Sequence, residues 1–118
     1  MIPLGLLISN QKEISVKIND KGLEIEGFYG LNIPYTNITL IDTVSQLPPV
    51  RMRTNGYAFG RICIGNFRLM DGRDVKLFIK RGHQPYIFLK TMDNIIIYFN
   101  FKDPANTNKT FLQIKEKI

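Results

Sequence analysis

Between Lys12 and Ile18 apolar and polar residues alternate strictly, Ile14, Val16 and Ile18 against Glu13, Ser15 and Lys17, and this two-residue period predicts a half-buried strand. Asn19-Asp20-Lys21-Gly22 carries turn residues, and beyond it Leu23 and Ile25 alternate with Glu24 and Glu26. Residues 12–27 are therefore expected as an antiparallel hairpin. Gly27, Gly30 and Pro34 cut the next part into short pieces, with Leu31–Tyr35 as an extended edge or corner. Ile38–Val44, rich in β-branched residues, reads as a further strand that Gln46-Leu47-Pro48-Pro49 ends.

Residues 57–70 read as one long strand whose pattern changes phase, because Ile62 and Ile64 share one parity and Phe67 and Leu69 the other. A β-bulge near Gly65-Asn66 restores a single apolar face. After Asp71-Gly72, Val75, Leu77 and Ile79 alternate with Asp74, Lys76 and Lys80. A three-residue loop at 71–73 keeps the faces consistent by pairing Leu69 with Val75 and Phe67 with Leu77, which sets Arg68 opposite Lys76.

Gly82-His83-Gln84-Pro85 turns the chain into Tyr86–Thr91, and Met92-Asp93-Asn94 turns it again into Ile95–Phe99. These two strands are apolar on both faces and need a cover. Asp103 before Pro104 is an N-cap residue followed by proline at the first helical position, which predicts a helix over about 104–118. Thr107, Phe111, Ile114 and Ile118 fall on one stripe of it, with Lys115 and Lys117 where cations suit the helix dipole. The expectation is a mainly β chain of about seven strands closed by one C-terminal helix.

Length bounds this to a single domain, 118 residues with 1–11 as a loosely ordered N-terminal segment. Hydrophobic residues at 44% and charged residues at 22% are ordinary for a globular chain. Met1–Ile8 is much shorter than the roughly 20 residues that cross a bilayer and lacks a basic leader, so a soluble, unexported chain is expected. Cys63 is the single cysteine, which excludes an internal disulfide and fits a reducing compartment.

Charge changes the picture more. The net +6 is concentrated: from Arg51 to Lys90 nine Lys/Arg face only Asp71 and Asp74, a balance of +7, and the remainder balances at −1. All six arginines lie between positions 51 and 81. Arg61, Arg68, Arg73, Lys76 and Lys80 form a candidate patch for an anionic lipid or another phosphorylated ligand, because the like charges Arg68 and Lys76 repel across the expected ladder unless an anion lies between them. Tyr57, Phe59, Phe67, Phe78, Tyr86 and Phe88 interleave with these cations as a single-stranded nucleic-acid platform would require, but strand aromatics are needed to fill the core, which disfavours nucleic acid.

Catalysis has little to work with. His83 sits in a Gly-Pro turn and Cys63 lies mid-strand without a partner at catalytic spacing. Gly56, Gly60 and Gly65 match neither dinucleotide nor nucleotide-phosphate signatures, and Asp71 and Asp74 are explained by the turn they flank. No catalytic residue, metal ligand or cofactor is assigned.

Several motifs resemble those of a bacterial pleckstrin-homology-like domain family: Gly27-Phe28-Tyr29-Gly30, Ile33-Pro34-Tyr35, Leu47-Pro48, Arg53-Thr54-Asn55-Gly56, Gly65-Asn66-Phe67, Pro85-Tyr86-Ile87 and Asn100-Phe101-Lys102-Asp103-Pro104. The resemblance implies a PH-like barrel, two near-orthogonal antiparallel sheets closed by the C-terminal helix. It also implies a cytoplasmic, non-catalytic domain, associated with the membrane through segments outside this chain. Eukaryotic relatives that bind phosphoinositides use basic residues in the loop after the first strand; here that loop holds Asp20 beside Lys21.

Two functions follow as expectations. The first is an interaction module that docks a protein partner or self-associates, through exposed strand edges and an apolar outer surface around Phe78, Phe88 and Tyr98. The second is a module for an anionic membrane surface or phosphorylated ligand through the basic 61–80 hairpin.

Overall fold

Asn19 closes the first hairpin. Its Oδ1 accepts from the Lys21 N–H at 2.9 Å and the Gly22 N–H at 3.0 Å, the side-chain-to-backbone turn that asparagine forms readily. In this computed structural model, which describes residues 14–27 and 29–118, that turn sets β1 (Val16–Ile18) antiparallel to β2 (Gly22–Ile25) in the register Val16↔Ile25. The expected N-terminal segment, and Lys12 and Glu13 of the first strand, lie outside the described residues. β3 (Leu31–Pro34) completes a three-stranded sheet as its edge, and a 3-10 turn at Tyr35–Asn37 leads out of it. The Tyr35 hydroxyl donates back to the Asn19 carbonyl at 2.6 Å, locking that turn to the first hairpin.

The second sheet has six strands: β4 (Ile38–Val44), β5 (Val50–Phe59), β6 (Ile62–Leu69), β7 (Asp74–Lys80), β8 (Tyr86–Thr91) and β9 (Ile96–Phe99), in the order β4-β8-β9-β7-β6-β5. The consecutive strands β4 and β5 thus stand at opposite edges, joined only by 45–49. That connection reaches about 21 Å fully extended, whereas the edges of a flat six-stranded sheet lie about 24 Å apart, so the sheet must curl. Val44 and Val50, at the two ends of this crossing, and Leu47 within it pack on the core the curl encloses: Cys63, Phe67, Leu69, Val75, Leu77, Ile79, Tyr86, Ile96 and Tyr98.

The other face of the large sheet carries a separate core. Phe78, Ile87, Leu89, Ile97 and Phe99 meet Leu23, Ile25 and Ile33 of the small sheet and Ile114 of α1 (Pro104–Glu116). Asp103 caps this helix, its Oδ1 accepting from the Ala105 N–H at 3.0 Å, with Pro104 at the helix start. Thr107 and Ile114 are buried and Phe111 is half-buried, as the helical stripe requires; Ile118 lies beyond the helix and is exposed.

The fold is mainly β, two sheets with one C-terminal helix packed on them, as expected, with differences of detail. Nine strands are present among the described residues rather than about seven, and β7 pairs with β9 in parallel. The expected single strand over 57–70 is instead the end of β5, a turn at Gly60-Arg61, and β6. β6 alternates half-buried and buried residues without interruption, so no bulge interrupts it at Gly65-Asn66; the register irregularities fall in β5, between Val50 and Met52 and between Arg53 and Asn55.

Candidate docking surface on the β5–β6 hairpin

Phe59-Gly60-Arg61-Ile62 makes the tightest reversal in the chain. Phe59 pairs with Ile62, leaving Gly60 and Arg61 as the loop, and Gly60 has φ +59, the positive value that the first position of a type II′ turn takes. Below the turn Gly56 pairs with Gly65, and both have positive φ. Glycine-x hairpin chemistry at 60–61 is the signal that would have divided the expected long strand.

β5 is an edge strand ten residues long, about twice the usual length, and it is exposed almost throughout. Among the described residues no backbone hydrogen bond outside the strand ladder involves residues 50–59. The outward backbone edge of β5 is therefore bare among the described residues, whereas α1 packs on β4, at the opposite edge. Residues paired across antiparallel strands share a face. One face of the hairpin thus carries the rows Met52 with Arg68, Tyr57 with Ile64, and Phe59 with Ile62, the last two continued on β7 by Phe78 and Lys80. Met52, Tyr57 and Phe59 are 47%, 43% and 81% exposed, the largest apolar groups that β5 offers to solvent.

The candidate residues divide sharply. Phe78 and Tyr98 are 2% and 4% exposed, one in each core, so neither forms the expected apolar outer surface. Phe88 is half-buried, with its ring centroid 5.3 Å from that of Tyr98. The sheet is covered on both faces, and this consumes the residues that a strand apolar on both sides leaves over when only one cover is counted.

The basic patch is also redrawn. The loop between β6 and β7 has three residues, but they are 70–72: Leu69 N–H donates to the Arg73 carbonyl at 2.9 Å, and the ladder pairs Arg68 with Asp74 and Asn66 with Lys76. The expected register is thus wrong by one residue on each strand, with the faces preserved. Arg68 Nε bonds Asp74 at 2.9 Å, and Lys76 Nζ donates to Asn66 Oδ1 at 2.8 Å. Arg73 Nε meets Asp71 at 2.9 Å, and the Arg73 backbone N–H, followed by its side chain, holds the Asp71 carboxyl below the usual carboxylate range. The direct facing of Arg68 and Lys76 that argued for a ligand between them does not occur.

Arg61 and Lys80 remain without a partner among the described residues and are joined by Arg81, whose N–H donates to the Arg61 carbonyl at 2.7 Å. The Arg61 guanidinium lies against Gly82. Buried Asn100 fixes this end: its Oδ1 accepts from the Lys80 N–H at 2.8 Å, and its Nδ2 donates to the carbonyls of Lys80 and His83, both at 3.0 Å. The sequence reading missed this role, although Asn100 follows five apolar residues, Ile95–Phe99, at a strand end. His83 Nδ1 donates to the Lys102 carbonyl at 2.9 Å, and Cys63 is buried. Among the described residues no three His, Cys, Asp or Glu side chains group to hold a metal, and no helix is long and apolar enough to cross a membrane.

The profile of one protein family, described as Bacterial PH domain, matches residues 14–109, from the start of the first hairpin into α1. No curated protein and no solved structure matches the chain.

Proposed function

Because the chain belongs to the bacterial PH domain family, we propose that it is a non-catalytic docking module and that the β5–β6 hairpin is the surface on which it holds a protein partner, at the cytoplasmic face of the membrane. The observation that carries this reading is the edge of β5, ten residues of strand whose outward backbone groups have no hydrogen-bond partner among the described residues, with three exposed apolar side chains beside them. An open strand edge is a template for pairing with another chain, and exposed apolar side chains beside it add contact area for a partner.

A photo-crosslinking residue at Thr54 or Phe59, introduced in the native host, tests this. A discrete protein adduct from both positions, absent when the residue replaces Lys115 on α1, is the expected result. An adduct of twice the chain's own mass identifies self-association. No protein adduct at either position overturns the reading.

A second reading has its own observation. Phe59 projects at the hairpin tip beside Arg61, Lys80 and Arg81, an exposed aromatic among unpaired cations, which suits an anionic lipid surface. Of the other expected cations, Arg68 and Arg73 have carboxylates beside them in Asp74 and Asp71, and Lys76 is held by Asn66. Sedimentation with anionic but not neutral vesicles, weakened by salt and by Phe59→Ser, supports it; equal recovery with both vesicle types removes it.

A further inference from the structure

We propose that the partner segment is an acidic, extended peptide that adds to the edge of β5 as a further strand. This rests on the docking reading above and gives the partner its chemistry. Strand addition draws affinity from main-chain hydrogen bonds and specificity from alternate side chains, and β5 offers both. Its sequence, Val-Arg-Met-Arg-Thr-Asn-Gly-Tyr-Ala-Phe, contains no acid, and Arg51 and Arg53 have no partner among the described residues.

Two features argue against a second copy of this chain. β5 itself carries Arg51 and Arg53 and no acid, so a second β5 laid along it brings no carboxylate to either cation. The irregularities at Arg51 and Thr54 also set two copies of β5 out of step with each other, and the edge cations beside them disfavour pairing with a like-charged strand. The same cations attract carboxylates. Beyond the second irregularity Asn55–Phe59 pairs with β6 residue by residue, and Tyr57 and Phe59 stand on one face of it. The fitting segment therefore has carboxylates at the end that meets Arg51 and Arg53 and alternating apolar side chains at the end that meets Tyr57 and Phe59.

The probe is a fluorescent ten-residue synthetic peptide with glutamates in one half and alternating valines in the other, made in both chain directions. Comparison peptides replace glutamate by lysine or valine by serine. Binding is read by anisotropy, and its location by amide hydrogen exchange of the whole chain. We expect one direction of the acidic peptide to bind, protection confined to residues 50–59, and about tenfold weaker binding for the lysine peptide and for Arg53→Glu, with Arg53→Lys close to the unaltered chain. The inference is overturned by an acidic peptide that fails in both directions, by protection elsewhere, or by Arg53→Glu having no effect. Dimerisation through β5 in sedimentation, or binding to anionic vesicles in place of the peptide, also overturns it. If the peptide fails while Thr54 still crosslinks to a protein, only the acidic-strand chemistry falls; if Thr54 gives no protein adduct, the docking reading falls with it.

Discussion

Gly56 and Gly65 stand back to back across the β5–β6 ladder, with φ +136 and +123. A Cβ on Gly56 would overlap the Ile64 carbonyl oxygen and lie 2.8 Å from Gly65 Cα, and a Cβ on Gly65 would overlap the Asn55 carbonyl oxygen and lie 2.6 Å from Gly56 Cα. Neither strand can carry a side chain there without parting from the other. Gly56→Ala and Gly65→Ala are each expected to cost at least about 1–3 kcal/mol from backbone strain alone. The double variant should cost less than the two single losses added, because the first substitution already parts the strands. Urea unfolding of the three variants checks this, and full additivity would show that the two glycines act independently.

Asn100 ties the end of β7 to the junction between β9 and α1. Asn100→Ala strands the Lys80 N–H and leaves two carbonyls without a donor, at about 1–3 kcal/mol for each group left buried and unpaired. Asn100→Asp keeps the acceptor for Lys80 but loses both donations and buries a charge, so it should be at least as damaging. Thermal unfolding of the two variants measures the difference.

Burial raises the phenol pKa of Tyr35 and of Tyr98 above the ordinary value. A raised folded-state pKa contributes stability that is complete below the ordinary phenol range, about pH 10, and lost as pH rises through the folded value. Alkaline unfolding should therefore accompany the appearance of phenolate absorbance from these two residues. Tyr98→Phe should reduce the alkaline loss while keeping the ring against Phe88. At the acid end the sign reverses. Hydrogen bonds from Ser15 to Glu26, and from the Arg73 backbone to Asp71, lower those carboxyls, so their contribution is present above the usual carboxylate range and disappears as pH falls through the lowered values.

Much of this fold is legible where turn residues or a wet face mark a strand. Ile38–Val44 and Tyr86–Thr91 have the expected bounds, the second set by Gln84-Pro85 before it and Met92-Asp93-Asn94 after it; the first hairpin alternates as its pattern requires, and Asp103-Pro104 starts the helix through cap chemistry that needs no tertiary contact. β5 was not legible because a strand exposed almost throughout carries no burial period, and its two irregularities scramble what parity remains. The register of β6 on β7 differs from the expected one by a shift that leaves every face unchanged, so hydrophobic pattern alone cannot choose between them. The charge pairs do distinguish them, and they turn a ligand argument at Arg68 into an ordinary exposed ion pair. The apolar surface failed for a related reason: Phe78 and Tyr98 face opposite cores, and the two-sided apolar pattern of the last strands calls for a cover without showing that the curl of the sheet encloses one face while the small sheet and α1 take the other.

Amide hydrogen exchange of the isolated chain tests the bare edge of β5 most directly. The account predicts alternation along Val50–Phe59, with amides bonded to β6 protected and those pointing outward exchanging at nearly unfolded rates, while β7 and β9 stay protected throughout. Uniform protection along β5 in the isolated chain would mean that this edge is already paired, and would contradict its assignment as the docking surface.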